Sequence, residues 1–349
     1  MPRKKKVRIG FIGGGGIGRT HMRYLADIDG AELVAVADIS PVALDQCREA
    51  FGFEHCFTDY RDLLKIDGID AVSVCTPNSM HHRPTIDALE AGLDVMVEKP
   101  MAMNAREAAE MVRVAEECGR LLVIGFQHRF RPNAQMLKRS IDSGVFGKVL
   151  FARCQALRRR GIPNWGVFGR KELQGGGPMI DIGVHIVEVA HYLMGSPKPV
   201  SASGSTYTYL GDRKSKVASS WPNWDHKTYT VEDLAVGMVR FENGATLTVE
   251  STFAAHLEQD VFDFVLMGEK AGGRFDPPMV FKDEAGTMVN LAPGFLPNDD
   301  CFEFKLRHFI DCIRTVKPSQ APGEHGLLVQ QILDGIYKSA ETGREVRIS

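Results

Sequence analysis

Over the first 127 residues, short apolar runs alternate with amphipathic stretches. Val7–Ile12 is a β-rich apolar run ending in glycines, and His21, Tyr24, Leu25 and Ile28 follow at helical spacing. A second apolar run covers 33–37. Pro41 then opens a helix through Ala50, because the fixed φ of proline suits the first helical position. Further apolar runs at 71–75, 95–97 and 121–126 are separated by helices at 85–91 and 105–117, which Gly92 and Gly119 stop. Strands that are apolar throughout, with helices between them, indicate a parallel sheet covered on both faces. The expected fold of residues 1–127 is a doubly wound α/β domain.

The rhythm changes beyond residue 127. One helix is expected at 132–143. From Val149 onward β-rich segments dominate, at 149–157, 200–210, 233–241, 245–253 and 261–267. Asn243-Gly244 between two alternating runs is a hairpin signal. The polar stretch 211–233, with Trp221, Pro222 and Trp224, reads as a long loop, and helices return at 299–316 and 325–342. Residues 128–349 are therefore expected to form an α+β domain with a large, mainly antiparallel open sheet. Its C-terminal helix is expected to pack back on the first domain. Helices cover one sheet face. The other carries alternating Leu, Val, Met and Phe at 234–253 and 261–267, which reads as an association surface and predicts a homodimer or homotetramer.

Composition narrows the class. The chain has 349 residues, 44% of them apolar and 25% charged, and 42 cationic against 44 anionic side chains give a net charge of −2. That excludes a disordered or collagen-like chain and gives no reason to expect nucleic acid or an anionic membrane as partner. The basic run from Arg3 to Lys6 reads as a solvated tail. No 18-residue apolar run exists and no apolar signal core stands behind the basic start, so neither a transmembrane helix nor a membrane partner is expected. The seven cysteines are odd in number, and none lie at metal-ligand spacing. A reduced, cytoplasmic setting and no metal follow as expectations.

The first chemical signal is Gly13-Gly14-Gly15-Gly16-Ile17-Gly18, a Gly-x-Gly-x-x-Gly loop after a strand and before a helix. Gly13 permits the tight turn, Gly15 a close approach of pyrophosphate, and Gly18 close packing of helix on strand. Gly16 and Ile17 open the helix whose free N–H groups meet the phosphates. Asp38 lies 20 residues past Gly18 at the end of the second strand. A carboxylate there binds the ribose hydroxyls of NAD and repels the 2′-phosphate of NADP, so this Rossmann domain is expected to prefer NAD.

Five motifs together carry a resemblance: the glycine loop, Thr76-Pro77-Asn78, Glu98-Lys99-Pro100, Gly125-Phe126-Gln127-His128-Arg129, and the run from Gly175-Gly176-Gly177 through Asp181 to His185. The chain resembles the Gfo/Idh/MocA oxidoreductases over nearly its whole length. The resemblance implies that Lys99, Asp181 and His185 are catalytic and that Thr76, Pro77 and Asn78 lie beside the nicotinamide ribose and carboxamide.

Read from the residues themselves, Lys99 follows a strand of the parallel sheet, at the edge where such sheets bind ligands. An ammonium there stabilises developing charge on a substrate oxygen. Asp181 and His185, four apart, share a face if their segment is helical. An imidazole suits acid–base work near neutrality, and Asp181 orients it, binds a hydroxyl, or both. The glycine triplet reads as a flexible entry that lets this helix start close to a ligand. Glu98 and Gln127 are candidates for cofactor hydroxyls or the carboxamide. His81 and His82 read equally well as helix-capping and surface residues. The resemblance implies that Trp165 closes over the cofactor. Similar proteins follow that tryptophan with arginine, whereas Gly166 stands here and Arg170 is the available substitute. Arg158-Arg159-Arg160 reads as a solvated face, or as a rim for a polyhydroxylated or anionic substrate.

The expected function is NAD-dependent hydride transfer between a sugar, polyol or glycoside hydroxyl and the nicotinamide. Two alternatives stay open: a glycoside hydrolase that oxidises its substrate transiently, and a non-enzymatic NAD-binding sensor.

Overall fold

A computed structural model describes residues 6–348, and the chain divides into two units: one of residues up to Phe130 with Asp300–Leu327, the other of Arg131–Asp299 with Leu328–Ser349. A contiguous second domain at 128–349 is therefore not how the chain divides. The segment that returns to the first unit is Asp300–Leu327, and the remaining C-terminal residues stay with the second. The basic run from Arg3, apart from an exposed Lys6, lies outside the described residues.

The first unit is built on six parallel strands: β1 (Val7–Ile12), β2 (Ala31–Ala37), β3 (His55–Phe57), β4 (Ala71–Val74), β5 (Asp94–Val97) and β6 (Leu122–Ile124). Their order is β3-β2-β1-β4-β5-β6. This is the doubly wound arrangement whose order reverses between β1 and β4. Ile9, Phe11, Val72, Val74, Val95 and Val97 are fully buried, as continuous apolar strands between two helical layers require. The alternating pattern missed β3 and the helix Tyr60–Leu63, which at three and four residues are too short for a period to register. All six strands run the same way, so the segments after β1, β2, β4, β5 and β6 emerge at one edge. Those segments are the glycine loop, Asp38, residues 76–78, Glu98-Lys99-Pro100 and residues 125–130.

The second unit holds nine strands: β7 (Val149–Leu157), β8 (Pro199–Tyr207), β9 (Leu234–Phe241), β10 (Thr246–Thr252), β11 (Val261–Gly268), β12 (Ala271–Arg274), β13 (Met279–Glu284), β14 (Thr287–Leu291) and β15 (Val346–Arg347). The order is β14-β13-β12-β11-β7-β10-β9-β8-β15, with β7 and β10 parallel and the other pairs antiparallel. The expected strands are present, whereas β12 to β15 were not anticipated. Outer strands such as β14 are exposed along most of their length and carry no apolar alternation to read. One sheet face buries Ala152, Cys154, Val239, Leu247, Phe264 and Leu266, with the helix Val184–Leu193 packed against β7 and β11. Register places Ser203, Met238, Thr248, Arg153 and Val265 side by side on the other face. That face is mixed rather than apolar. The apolar residues in the alternation are mostly the buried partners, and the exposed rows mix in Ser, Thr, Arg and Glu. Among the described residues no helix is long and apolar enough to cross a membrane.

Candidate functional site

In the first unit the glycine loop has the form its spacing implies. Gly13 sits at φ +104, and a Cβ on it would lie 2.6 Å from the Cys75 carbonyl oxygen. A Cβ on Gly18 would lie 2.1 Å from the Gly13 carbonyl oxygen, so helix and strand meet there through bare backbone. Gly15 and Gly16 face open space, with nothing within 4 Å of an added Cβ. The helix Gly16–Asp27 starts with no side-chain cap and no acidic residue in its first turn, so its N–H groups and partial positive charge are available to phosphate. Asp38 is fixed beside the loop: Oδ2 accepts the Gly14 N–H at 2.7 Å and Oδ1 the Ser40 N–H at 2.8 Å. Gln127 is buried, and its Oε1 has no hydrogen-bond partner among the described residues. An orphaned buried carbonyl oxygen suits an amide N–H such as that of a nicotinamide carboxamide. The residues present fit a dinucleotide.

These contacts separate two glycine substitutions. Gly15→Val is expected to leave the melting temperature close to wild type and abolish NAD binding, because its side chain enters only the open space the pyrophosphate would use. Gly18→Ala is expected to lower the melting temperature, because it meets backbone. Calorimetric NAD titration and thermal scans of both variants check this.

Beyond the loop, Thr76 donates its hydroxyl to the Met80 carbonyl at 2.9 Å, Pro77 is exposed, and Asn78 is buried. Lys99 is half-buried, and its peptide bond to Pro100 is cis. Glu98 sits in a buried polar cluster. It is buried, and Oε1 lies 2.5 Å from Lys305 Nζ and 3.0 Å from His21 Nε2. Lys305 Nζ is also 2.9 Å from His21 Nε2, and His21 Nδ1 is 2.8 Å from Ser73 Oγ. Lys305 Nζ, Glu98 Oε1 and His21 Nε2 thus form a closed triangle, with Ser73 Oγ on the other ring nitrogen. Burial and the Lys305 charge push His21 down to about 4. Burial alone would raise Glu98, but Lys305 and His21 outweigh it and hold the carboxyl well below the usual range. Gly125 makes room for this pair, since a Cβ there would lie 2.5 Å from Glu98 Oε1. The other oxygen, Oε2, accepts the Lys99 N–H at 3.2 Å. Glu98 thus contacts the backbone of Lys99 through one oxygen and the buried cluster through the other.

In the second unit, Met179–Gly183 forms a π-helical turn that runs into the α-helix Val184–Leu193. Asp181 lies in the π turn, half-buried, and His185 in the first turn of the α-helix, buried. The simple α-helical spacing is therefore corrected. Wide turns of this kind recur at functional sites. The glycine triplet is also corrected, from flexible entry to close packing. Gly175 closes the short helix Lys171–Gln174 at φ +85. A Cβ on Gly176 would lie 2.2 Å from the Tyr337 hydroxyl, and one on Gly177 would lie 2.3 Å from the Glu232 carbonyl oxygen. The buried Glu232 carboxylate accepts the Gly177 N–H at 3.0 Å and the Tyr337 hydroxyl at 2.6 Å, and Ser251 donates to the Pro178 carbonyl at 2.8 Å. Burial raises Glu232 above the ordinary carboxylate value. These contacts fix the start of the segment that presents Asp181 and His185.

Trp165 is half-exposed and meets Trp221 edge-on, with centroids 4.7 Å apart. Arg170 is exposed. The arginine run divides. Arg158 is partly buried, with its guanidinium 4.9 Å from the Trp221 ring centre and 5.7 Å from that of Phe253. Arg159 and Arg160 donate to the carbonyls of Glu258 and Ala255.

Sequence reasoning missed His21, Lys305 and His81. His81 was read as capping or surface, yet it is 1% exposed, and both ring nitrogens face backbone carbonyls of the two neighbouring motifs. Its position three residues past Asn78 was the available signal.

Comparison with known proteins agrees with this geometry. The family model described as "Oxidoreductase family, NAD-binding Rossmann fold" matches residues 7–126, and the "GFO/IDH/MocA C-terminal domain" matches residues 134–273. The chain is 36% identical over 344 residues to D-glucoside 3-dehydrogenase of Escherichia coli, covering 98% of this chain and 97% of that protein. It is 28% identical to myo-inositol 2-dehydrogenase of Thermotoga maritima, covering 98% of each. The fold is like that of levoglucosan dehydrogenase in complex with NADH, with a TM-score of 0.85 at 23% identity over 99% of this chain and 100% of the other. The chain belongs to the Gfo/Idh/MocA oxidoreductase family.

Proposed function

We propose that this Gfo/Idh/MocA oxidoreductase oxidises a ring secondary hydroxyl of a glucoside, with NAD preferred over NADP. The coarser activity is that of the family: NAD-dependent hydride transfer involving a sugar, polyol or glycoside hydroxyl. Support for the glucoside reading is the 36% identity over nearly the full length of a D-glucoside 3-dehydrogenase. The single structural observation that carries the NAD preference is the Asp38 carboxylate, held beside the loop by Gly14 and Ser40.

When bound, NAD supplies a two-electron acceptor for the carbinol carbon. The glycine loop and the helix N-terminus hold its pyrophosphate, Asp38 its ribose diol, and Gln127 and the 76–78 turn its nicotinamide end. His185 takes the hydroxyl proton as general base. Asp181 orients that imidazole or a neighbouring substrate hydroxyl. Lys99 stabilises the alkoxide-like charge as the proton leaves. Trp165 covers the cofactor, and the protein acts in the cytoplasm.

An NAD-reduction screen over glucosides, free sugars and inositols, with both cofactors, tests this reading. Glucosides are expected to give the highest kcat/KM, with free NADH accumulating and no aglycone released. Comparable kcat/KM with NADP would overturn the role of Asp38. We also propose a homodimer or homotetramer joined through the open face of the nine-stranded sheet, where Met238 and Val265 lie among polar neighbours. Light scattering that gives the 38.6 kDa of one chain at micromolar concentration would overturn it.

A further inference from the structure

We infer that His81 is a positioning residue for Lys99, an imidazole clamp that ties the 76–78 turn to the Lys99-Pro100 turn and grips both when each ring nitrogen carries a proton. His81 Nδ1 lies 2.7 Å from the Pro100 carbonyl oxygen and Nε2 lies 2.9 Å from the Thr76 carbonyl oxygen. Both partners are pure acceptors. A neutral imidazole has one N–H, so it satisfies one carbonyl and sets a lone pair against the other, whereas an imidazolium satisfies both. The side chain is 1% exposed, so water cannot take the place of either partner. One end of the clamp is the turn beside the nicotinamide, and the other directly follows Lys99. This inference rests on the assignment of Lys99 to the reaction.

Three forces set the charge on the ring. Burial opposes it most strongly. The two carbonyls and the Glu98 carboxylate favour it, and the Lys99 ammonium opposes it; the balance lies below the ordinary imidazole value. His82, next to it on the helix His82–Glu90, turns to Glu110 of the packed helix Ala105–Cys118 at 3.0 Å. The clamp is therefore complete on the acid side of the imidazole range and holds a single carbonyl above it.

The test uses the full chain and two readouts. Nitrogen NMR of histidine-labelled protein should show the His81 ring passing from one protonated nitrogen to two as the pH falls. Lys99→Met should move that midpoint up, and Glu98→Gln should move it down. A ring that stays neutral throughout, or a midpoint indifferent to both substitutions, overturns the clamp. The second readout is kinetic. His81→Gln keeps a buried polar side chain but can donate at only one end. Below the His81 midpoint, where the wild-type ring grips both carbonyls, it should lower kcat by ~10²-fold relative to wild type, the scale expected when a catalytic group is displaced by about an ångström, and above the midpoint the two should converge. NAD affinity should stay near wild type, because Asp38 and the glycine loop are untouched. Retention of wild-type kcat below the midpoint overturns the positioning role. So does a kcat loss matched by an equal loss of NAD binding and a lower melting temperature, since that is the signature of misfolding. If Lys99→Met itself stays active, the lysine assignment fails instead, and the NMR result still decides the clamp.

Discussion

Lys99→Met and His185→Ala are each expected to cost about 10²–10⁴ in kcat while leaving NAD affinity close to wild type. In the proposed reading, cofactor affinity resides in the backbone of the glycine loop and in Asp38, whose carboxylate is held by Gly14 and Ser40. Neither substitution touches those groups. In the proposed mechanism Lys99 and His185 serve an oxygen whose charge develops only during reaction, so their loss should appear in kcat and not in ground-state binding. Groups that serve one reacting oxygen are non-additive, so the double variant should lose less than the product of the single losses. Calorimetric NAD titration and steady-state rates on the best substrate of the screen provide the check. More than about a tenth of wild-type kcat in His185→Ala would pass the role of base to Lys99 or Asp181.

Lys305→Met is expected to be the most destabilising single change, at about 3–5 kcal/mol. Lys305 is fully buried, and its ammonium bridges Glu98 Oε1 at 2.5 Å and His21 Nε2 at 2.9 Å. Removing it strands an ionised carboxylate in a site that Gly125 and the β4–β5 edge have closed around it. The double change Glu98→Gln and Lys305→Met removes both charges and should recover most of that loss, as paired replacement of buried ions does elsewhere. Urea unfolding of wild type, single and double variants measures both effects. A single variant as stable as wild type would mean that the carboxylate reaches solvent or another cation. The same cluster imposes a pH dependence. His21 titrates near 4 when folded against 6.5 when unfolded. Between those values the unfolded chain binds the extra proton, so stability rises with pH there and is lost as pH falls through that window. His21→Asn should flatten that part of the pH–stability curve.

The chain's periodicity by itself determined the alternation of strand and helix in the first unit, because strands buried on both faces must be apolar at every position. Glycine spacing identified the dinucleotide loop, since the positive φ at Gly13, the bare approach of Gly18 to the Gly13 carbonyl and the open space at Gly15 are local demands of one turn. Asp38 was legible for the same reason, as it ends the adjacent strand. The strands β7 to β11 were legible from alternation, and the shorter outer strands β12 to β15 were not. The boundaries of the units, with Asp300–Leu327 assigned to the first, left no mark on local pattern.

Only tertiary structure decided what the polar residues between these elements do. Glu98 was a candidate for cofactor hydroxyls or the carboxamide, and the sequence said nothing of its other partners. It lies buried between His21 and Lys305, residues 77 and 207 positions away, and no spacing rule links the three. The glycine triplet looked flexible. It is instead held against Tyr337 and the Glu232 carbonyl, groups supplied by a loop and a helix distant in sequence. His81 looked like a surface residue until the fold put a carbonyl on each ring nitrogen. Backbone conformation is set by neighbours in the chain, so its signals are local. A buried polar group takes whatever partner folding brings to it, and that partner is fixed by three-dimensional proximity alone.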